Sequence, residues 1–123
     1  MATVDTVRRQ ALPSGTRIVA GEAGLYNEVS WVVSLKPTPP GFDILRGGEL
    51  ALASTRMAAL LGASLSSLVT SLGERGAAAV ALLGQASAEA RDRAQGLSLP
   101  LLELPPQTSL PPLEQRIADH INQ

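Results

Sequence analysis

The spacing of hydrophobic positions changes along the chain and is most regular in its second half. Four apolar residues there fall at i, i+3, i+4 and i+7, the spacing of a helix with one buried face: Leu65, Leu68, Val69 and Leu72. Ser64 can cap this helix, Gly76 suits the left-handed position after it, and Gly73 inside it predicts a closely packed neighbouring element. The apolar run from Ala78 to Leu83 then predicts a strand buried on both faces of a mostly parallel sheet.

The other elements follow from the same spacing rules and from turn residues. Further strands are predicted over Arg17–Ala20, Val29–Leu35, Glu49–Ala53 and Pro100–Leu104. Thr3 can cap a short first helix, Ser87 a later one, and a further helix through Met57–Leu61 is an option. On the first helix the residues expected to face inward are Val4, Val7 and Ala11, and on the helix capped by Ser87 they are Ala90, Ala94 and Leu97. On a terminal helix that starts near Pro111 they are Leu113, Ile117 and Ile121.

In chain order, these elements predict a single α/β domain over residues 1–123. The second half reads strand, helix, strand, helix, strand, and right-handed crossovers make those strands parallel. We therefore expect a mostly parallel five-stranded sheet flanked by helices, with βαβαβ in the C-terminal half. The first two strands lie close in sequence, which favours their pairing as a hairpin-like unit.

Composition excludes several classes of function. Aromatic residues make up 2% of the chain and the net charge is −1 with scattered basic residues, so this chain is not expected to contact nucleic acid directly. Cysteine is absent, which excludes disulfides and the commonest zinc ligands. The N-terminus carries no signal-peptide pattern, and the longest apolar run, Ala77–Leu83, is too short to span a bilayer. A cytoplasmic protein without membrane contact is expected.

No residues with the pattern of an enzyme or metal site are found in the sequence. The acidic residues in the predicted sheet region lie in separate segments and are interpreted as solvated or salt-bridged surface charges: Glu22, Glu28, Glu49 and Glu103. His120 is the only histidine and is expected at the surface of the terminal helix. No catalytic residue, metal or cofactor is therefore predicted.

Two features near the third strand have structural interpretations. Gly47 and Gly48 precede a strand, whereas phosphate loops follow a strand and open a helix, so these glycines predict a tight turn with positive φ. Arg46 and Glu49 beside them can pair with each other or with another subunit. Trp31 lies on a valine-rich strand, where core packing or an interface contact is favoured over ligand stacking.

A small-molecule site, if present, is expected where parallel strands end. Ligands in open α/β sheets gather outside the carboxyl ends of the strands. Ser54, Thr55 and Arg56 follow the third predicted strand there, and Gly84 and Gln85 follow the fourth. Arg56 could meet an anionic ligand; the alternative is a solvated arginine beside an ordinary capped turn.

The order of several segments resembles the N-terminal domain of PucR-like regulators, named for purine catabolism regulatory proteins. These segments are Arg17–Gly21, Gly24–Leu25, Val29–Val32 with the proline-rich loop after it, Leu45–Leu50 and Pro100–Pro105. The Arg-Gly-Gly-Glu-Leu stretch that begins at Arg46 is the most specific of them. Where the family often has His and Glu after its Trp, this chain has Val33 and Lys36, and Ala53–Arg56 replaces the family's Thr-Thr-Gly. The family's purine effector is therefore not carried over.

The resemblance implies a cytoplasmic bacterial transcription regulator in which this domain precedes a middle region and a DNA-binding helix-turn-helix. Because the terminal helix runs to the last residue without a stop signal, we expect a fragment of a longer regulator. The favoured function is a sensor domain that binds a small effector or relays a signal. The alternative is a ligand-free dimerisation or protein-interaction module, and an enzyme is the least favoured class.

A two-fold homodimer is also expected, because helix-turn-helix regulators commonly read paired half-sites. Two apolar features could support it. The stripe on the terminal helix must cover either its own sheet or a partner. The Pro37–Phe42 loop presents Phe42 and Ile44 on a segment that is expected to be too rigid to fold back into a core, which favours the loop as the contact surface.

Overall fold

The computed structural model describes residues 2–123. Its strands are β1 Arg17–Ala20, β2 Trp31–Ser34, β3 Glu49–Ser54, β4 Ala79–Leu83 and β5 Leu101–Leu104. Its α-helices are α1 Val4–Gln10, α2 Thr55–Leu61, α3 Leu65–Glu74, α4 Ala88–Gly96 and α5 Leu110–Ile121. A 3₁₀ turn covers Glu22–Gly24. Every predicted strand is present, with ends that differ from the prediction by at most two residues.

The five strands form one mixed sheet in the order β1-β5-β4-β3-β2. The strands β2 to β5 are parallel, whereas β1 runs antiparallel to β5. The predicted hairpin between the first two strands is wrong, because β1 and β2 lie at opposite edges. Gly21, at φ 73°, turns the chain away from β1. The segment before β2 then pairs with the N-terminus, where the Val29 N–H donates to the Ala2 carbonyl at 2.9 Å.

Helices cover both faces of the sheet. Side chains alternate along β3, so that Leu50 and Leu52 face the core beneath α1 and α5, while Ala51 and Ala53 face the core beneath α2, α3 and α4. Val80 is buried in the second of these cores, as its apolar strand predicts. The domain is thus a three-layer α/β sandwich.

Where α3 packs against α4, the burial of two residues differs from the prediction. Leu68 was expected to be buried but is only partly so, and Val69 and Leu72 are the buried residues of α3. Leu97 was expected to face inward from α4 but is 41% exposed. It follows the end of that helix and lies over Gly73, where a Cβ would be 2.6 Å from Leu97 Cδ1. The close approach that Gly73 predicts is therefore confirmed.

The terminal helix covers its own sheet. Leu113 and Ile117 are buried against β2 and the α1 side of the core, and Ile121 packs at its margin. The apolar stripe of α5 is therefore used within the chain.

The proline-rich loop also folds back, contrary to the expectation for Phe42. That side chain is 6% exposed and joins the core beneath α2 and α3, whereas Ile44 is 90% exposed. The Lys36 N–H donates to the Gly41 carbonyl at 2.7 Å and closes the loop into a compact turn. The prolines stiffen this turn, but the turn as a whole packs onto Leu35 and Leu61.

No single helix within residues 2–123 is long and apolar enough to cross a membrane. Only α2 and α3 taken together reach that length and composition, and they are bent by 92° relative to each other.

The first helix is held by a capping box and by a cluster of charged residues. Thr3 and Thr6 exchange hydrogen bonds between side chain and backbone, as the predicted cap requires. The Asp5 carboxylate lies 2.7 Å from Arg8 Nη2 and 3.2 Å from Arg9 Nε. The hydrogen bond from Arg8 holds the pKa of Asp5 below its ordinary value of 3.8, partial burial opposes this shift, and Arg9 adds to it.

Replacing Asp5 by asparagine is expected to lower stability at neutral pH and to matter progressively less in acid. Because the folded-state pKa lies below the unfolded one, the carboxylate stabilises the fold fully above the unfolded value. That stabilisation is lost as the pH falls through the folded-state pKa. Thermal unfolding of both proteins between neutral pH and about pH 2 would measure this. Asp92→Asn, at an exposed position on α4, is the control, and a difference for Asp5→Asn that is constant with pH would contradict the assignment.

Candidate functional site

A cleft of about 280 Å³ opens at the carboxyl ends of β4 and β5. Gly84 and Gln85 line it from the end of β4, and Pro105 lines it from the end of β5. Because β1 is antiparallel to β5, the first residue of β1, Arg17, lies opposite Glu103 and joins the same edge. We call this depression the strand-end cleft. It lies where parallel-sheet geometry predicts a ligand.

A buried carboxylate positions the arginine of the strand-end cleft. Arg17 Nη2 lies 2.7 Å from Glu103 Oε1, and the Ala86 N–H donates to Glu103 Oε2 at 2.8 Å. The side chain of Glu103 is 9% exposed, and that of Arg17 is 71% exposed. Both oxygens of the carboxylate are thus engaged, whereas the other N–H groups of the guanidinium have no partner among residues 2–123. Arg17 can therefore donate hydrogen bonds to an acceptor in the cleft.

The structure brings together only part of the predicted site. Gly84, at φ 125°, packs against Thr55, so a Cβ there would be 2.5 Å from Thr55 Oγ1. Ser54 is buried and caps α2, its Oγ accepting the Met57 N–H at 3.0 Å. Arg56 is exposed at the start of α2 and does not line the strand-end cleft.

Sequence reasoning missed the central pair of this cleft. Glu103 was interpreted as a surface charge, but the residue is 7% exposed in an otherwise apolar strand. A charged residue within Leu101–Leu104 is itself a signal, since carboxylates are rarely buried without a partner. The partner could not be predicted, because the antiparallel pairing of β1 with β5 has no local signature.

The Arg-Gly-Gly-Glu-Leu segment forms a structural turn. Gly47 and Gly48 have φ values of 104° and 84°, which confirms the predicted tight turn. Glu49, also expected at the surface, is only 6% exposed. Its carboxylate accepts the backbone N–H groups of Arg46 at 2.7 Å and Gly47 at 2.9 Å, which compensates for the loss of water. The side chains of Arg46 and Glu49 form no ion pair within residues 2–123, and the guanidinium of Arg46 is exposed. This turn holds the start of β3 beside β2.

Trp31 is 46% exposed and does not belong to the core. It lines a groove of about 450 Å³ between the outer edge of β2 and helix α5. We call this the edge groove. Its polar lining includes Ser34, Lys36, Asp43 and Glu114.

The remaining chemical candidates do not form a site. His120 is partly buried on α5, in a shallow depression shared with Thr6 and Gln10 of α1. Within residues 2–123, no group of three or more His, Asp or Glu side chains could hold a metal ion.

Comparison with known proteins gives one informative result. No curated protein matches the chain. The family described as the purine catabolism regulatory protein-like family (PucR) matches over residues 5–121, nearly the whole sequence. The chain therefore belongs to the PucR family.

Proposed function

We propose that this chain is the sensor domain of a bacterial PucR-family transcription regulator and binds a small effector in the strand-end cleft. The observation that carries the proposal is the exposed Arg17 guanidinium, held at the strand ends by the buried Glu103 carboxylate. Family membership supports a regulatory, non-enzymatic role. The domain functions in the cytoplasm, and DNA is contacted by a helix-turn-helix elsewhere in the full-length protein, in keeping with the net charge of −1 here.

The position of the cleft suggests how an effector could be sensed. Arg17 belongs to β1, Glu103 to β5, and Ala86 to the segment between β4 and α4. An acceptor bound to Arg17 and Gln85 would therefore join the antiparallel edge strand to the loop that leads into α4. Since α4 packs on β1, such a ligand would favour one arrangement of this edge of the sheet over others.

A thermal-shift screen tests the proposed effector site. The isolated domain is screened against purine-pathway metabolites and other small anions. A ligand at one hundred times its dissociation constant is expected to add about 2.7 kcal/mol of stability. Arg17→Ala is expected to abolish the shift, and Arg17→Lys, which keeps the charge at Glu103, is expected to weaken it strongly.

Two other arginine variants provide controls for this screen. Arg91→Ala, at an exposed position on α4, should leave the ligand shift unchanged. If Arg56→Ala abolished the ligand-induced thermal shift and Arg17→Ala retained it, the ligand site would lie at the start of α2 instead. A screen in which no compound stabilises the domain would contradict the sensor proposal.

The alternative function is a ligand-free module for dimerisation or protein interaction. The exposure of Ile44, at 90%, and of Trp31, at 46%, favours it, because large apolar side chains at the surface commonly mark contact sites. A two-fold homodimer remains a proposal under either function. Sedimentation of the domain at increasing concentration distinguishes a dimer formed here from one formed by other parts of the regulator.

A further inference from the structure

We propose that the edge groove binds an extended, basic peptide segment of another protein, which adds to the sheet as a new strand beside β2. The proposal is independent of the effector site, because the edge groove lies on the opposite edge of the sheet from the strand-end cleft.

The outer edge of β2 is open. Within residues 2–123 this strand pairs only with β3, in the register Trp31↔Glu49 to Ser34↔Leu52. The Leu35 N–H donates to the Leu52 carbonyl at 2.8 Å, so backbone alternation turns the polar groups of Val32 and Ser34 away from β3 and toward the groove. Val32 is only 4% exposed, which leaves these groups little access to water. An added strand would supply hydrogen-bond partners that the described chain does not.

Both ends of this open stretch are closed by the chain itself. At one end, Ala2 occupies the edge through the bond from the Val29 N–H at 2.9 Å. At the other, the Lys36 N–H is taken by the Gly41 carbonyl at 2.7 Å. A second copy that paired edge to edge would bring its own two closing segments to the contact, whereas a single extended peptide has only to fit between them. We therefore assign the groove to a peptide and not to self-association.

The charges in the groove favour a basic segment. The Glu114 carboxylate accepts the Ser34 hydroxyl at 2.6 Å, and no cationic side chain among residues 2–123 forms an ion pair with it. The one ammonium in the groove, Lys36 Nζ, is already 3.2 Å from Asp43. Two carboxylates thus face one ammonium, and an arginine or lysine from the peptide would balance them. Trp31 offers an aromatic face to an apolar side chain or to the same cation.

Fluorescence anisotropy with two labelled peptides tests this assignment. In one peptide valine alternates with arginine, and in the other glutamate replaces arginine; both have blocked ends. The arginine peptide is expected to bind at least about tenfold more tightly. Glu114→Arg should reverse or abolish that preference, whereas Glu89→Arg, a matched change on α4, should leave it intact. Trp31→Ala should weaken binding, whereas Tyr26→Ala, at a residue 82% exposed outside the groove, should not.

A second measurement tests strand addition itself. Methylation of alternate backbone nitrogens in the arginine peptide should abolish binding, and the unmethylated peptide should slow hydrogen exchange at the amides of Val32 and Ser34. If Trp31→Ala does not fold, the Glu114→Arg and methylation results still decide. Failure of the arginine peptide to bind, equal binding of the methylated peptide, or an unchanged preference in Glu114→Arg would overturn the proposal. A concentration-dependent dimer that Trp31→Ala dissociates would instead assign the groove to a second copy.

Discussion

Replacing Leu52 by alanine is expected to lower the free energy of unfolding by about 2–5 kcal/mol. Leu52 lies in β3, an interior strand between β2 and β4, and is completely buried in the core beneath α1 and α5. The truncation removes apolar surface from this core and leaves a cavity, because the sheet on one side and the helices on the other cannot collapse into it. Urea denaturation would give the change as a shift of the midpoint at constant slope.

Two other leucines serve as controls for Leu52→Ala. Leu60→Ala, at a position on α2 that is 63% exposed, should change the stability by less than about 0.5 kcal/mol. Leu68→Ala on α3 should fall between the two, because its side chain is only partly buried. A loss below about 0.5 kcal/mol for Leu52→Ala would mean that this face of the sheet is not packed as described.

Local signals in the sequence predicted the α-helices and all five strands. Thr3, Ser64 and Ser87 each cap the helix that follows, as their positions before the apolar spacing indicate. A cap involves only the next three residues, and a helix face only the next two turns. The continuous apolar run of β4 similarly predicts its burial in a parallel sheet. These features depend on neighbours in sequence and can be predicted without the fold.

Pairings between distant segments could not be predicted in this way. The position of β1 beside β5 joins residues that are 86 apart in sequence, as in the contact between Arg17 and Glu103. Nothing within a four-residue strand specifies which edge of the sheet it will occupy. The burial of Phe42 likewise depends on the turn closed by Lys36 and Gly41 and on its packing against α2. In both cases, a tertiary contact decides where a locally ambiguous segment lies.

The candidate site also combines residues that a local rule identifies with a residue that only the sheet order reveals. The rule that ligands gather at the carboxyl ends of parallel strands identifies Gly84 and Gln85, and both line the strand-end cleft. The rule also selects Arg56, which the structure places outside the cleft. The arginine that does line the cleft, Arg17, comes from the single antiparallel strand and could be found only from the sheet order.

The second large effect is expected from Gly21→Ala, which should lower the free energy of unfolding by about 2–4 kcal/mol. Gly21 ends β1 in the left-handed conformation, at φ 73°, where an alanine is strained. A Cβ at this position would also overlap the Leu99 carbonyl group and lie 2.7 Å from the nitrogen of Pro100, the residue immediately before β5. Because these are backbone atoms, the clash can be relieved only by separating β1 from β5. Chemical denaturation of the variant would measure the loss.

Substitutions of two further glycines distinguish the cost of the backbone clash from the cost of the left-handed conformation. Gly62, at φ 76° after α2, has open space where a Cβ would lie, so Gly62→Ala should cost only the strain of the left-handed conformation, about 1 kcal/mol. Gly96 is the last residue of α4 and has equally open surroundings, so Gly96→Ala should be neutral or stabilising by up to about 1 kcal/mol. The order Gly21, Gly62, Gly96 in loss of stability follows from this geometry. If Gly21→Ala cost no more than Gly62→Ala, β1 would not be packed against the start of β5. Without that contact Arg17 would not be held beside Glu103, and the strand-end cleft would lose one wall.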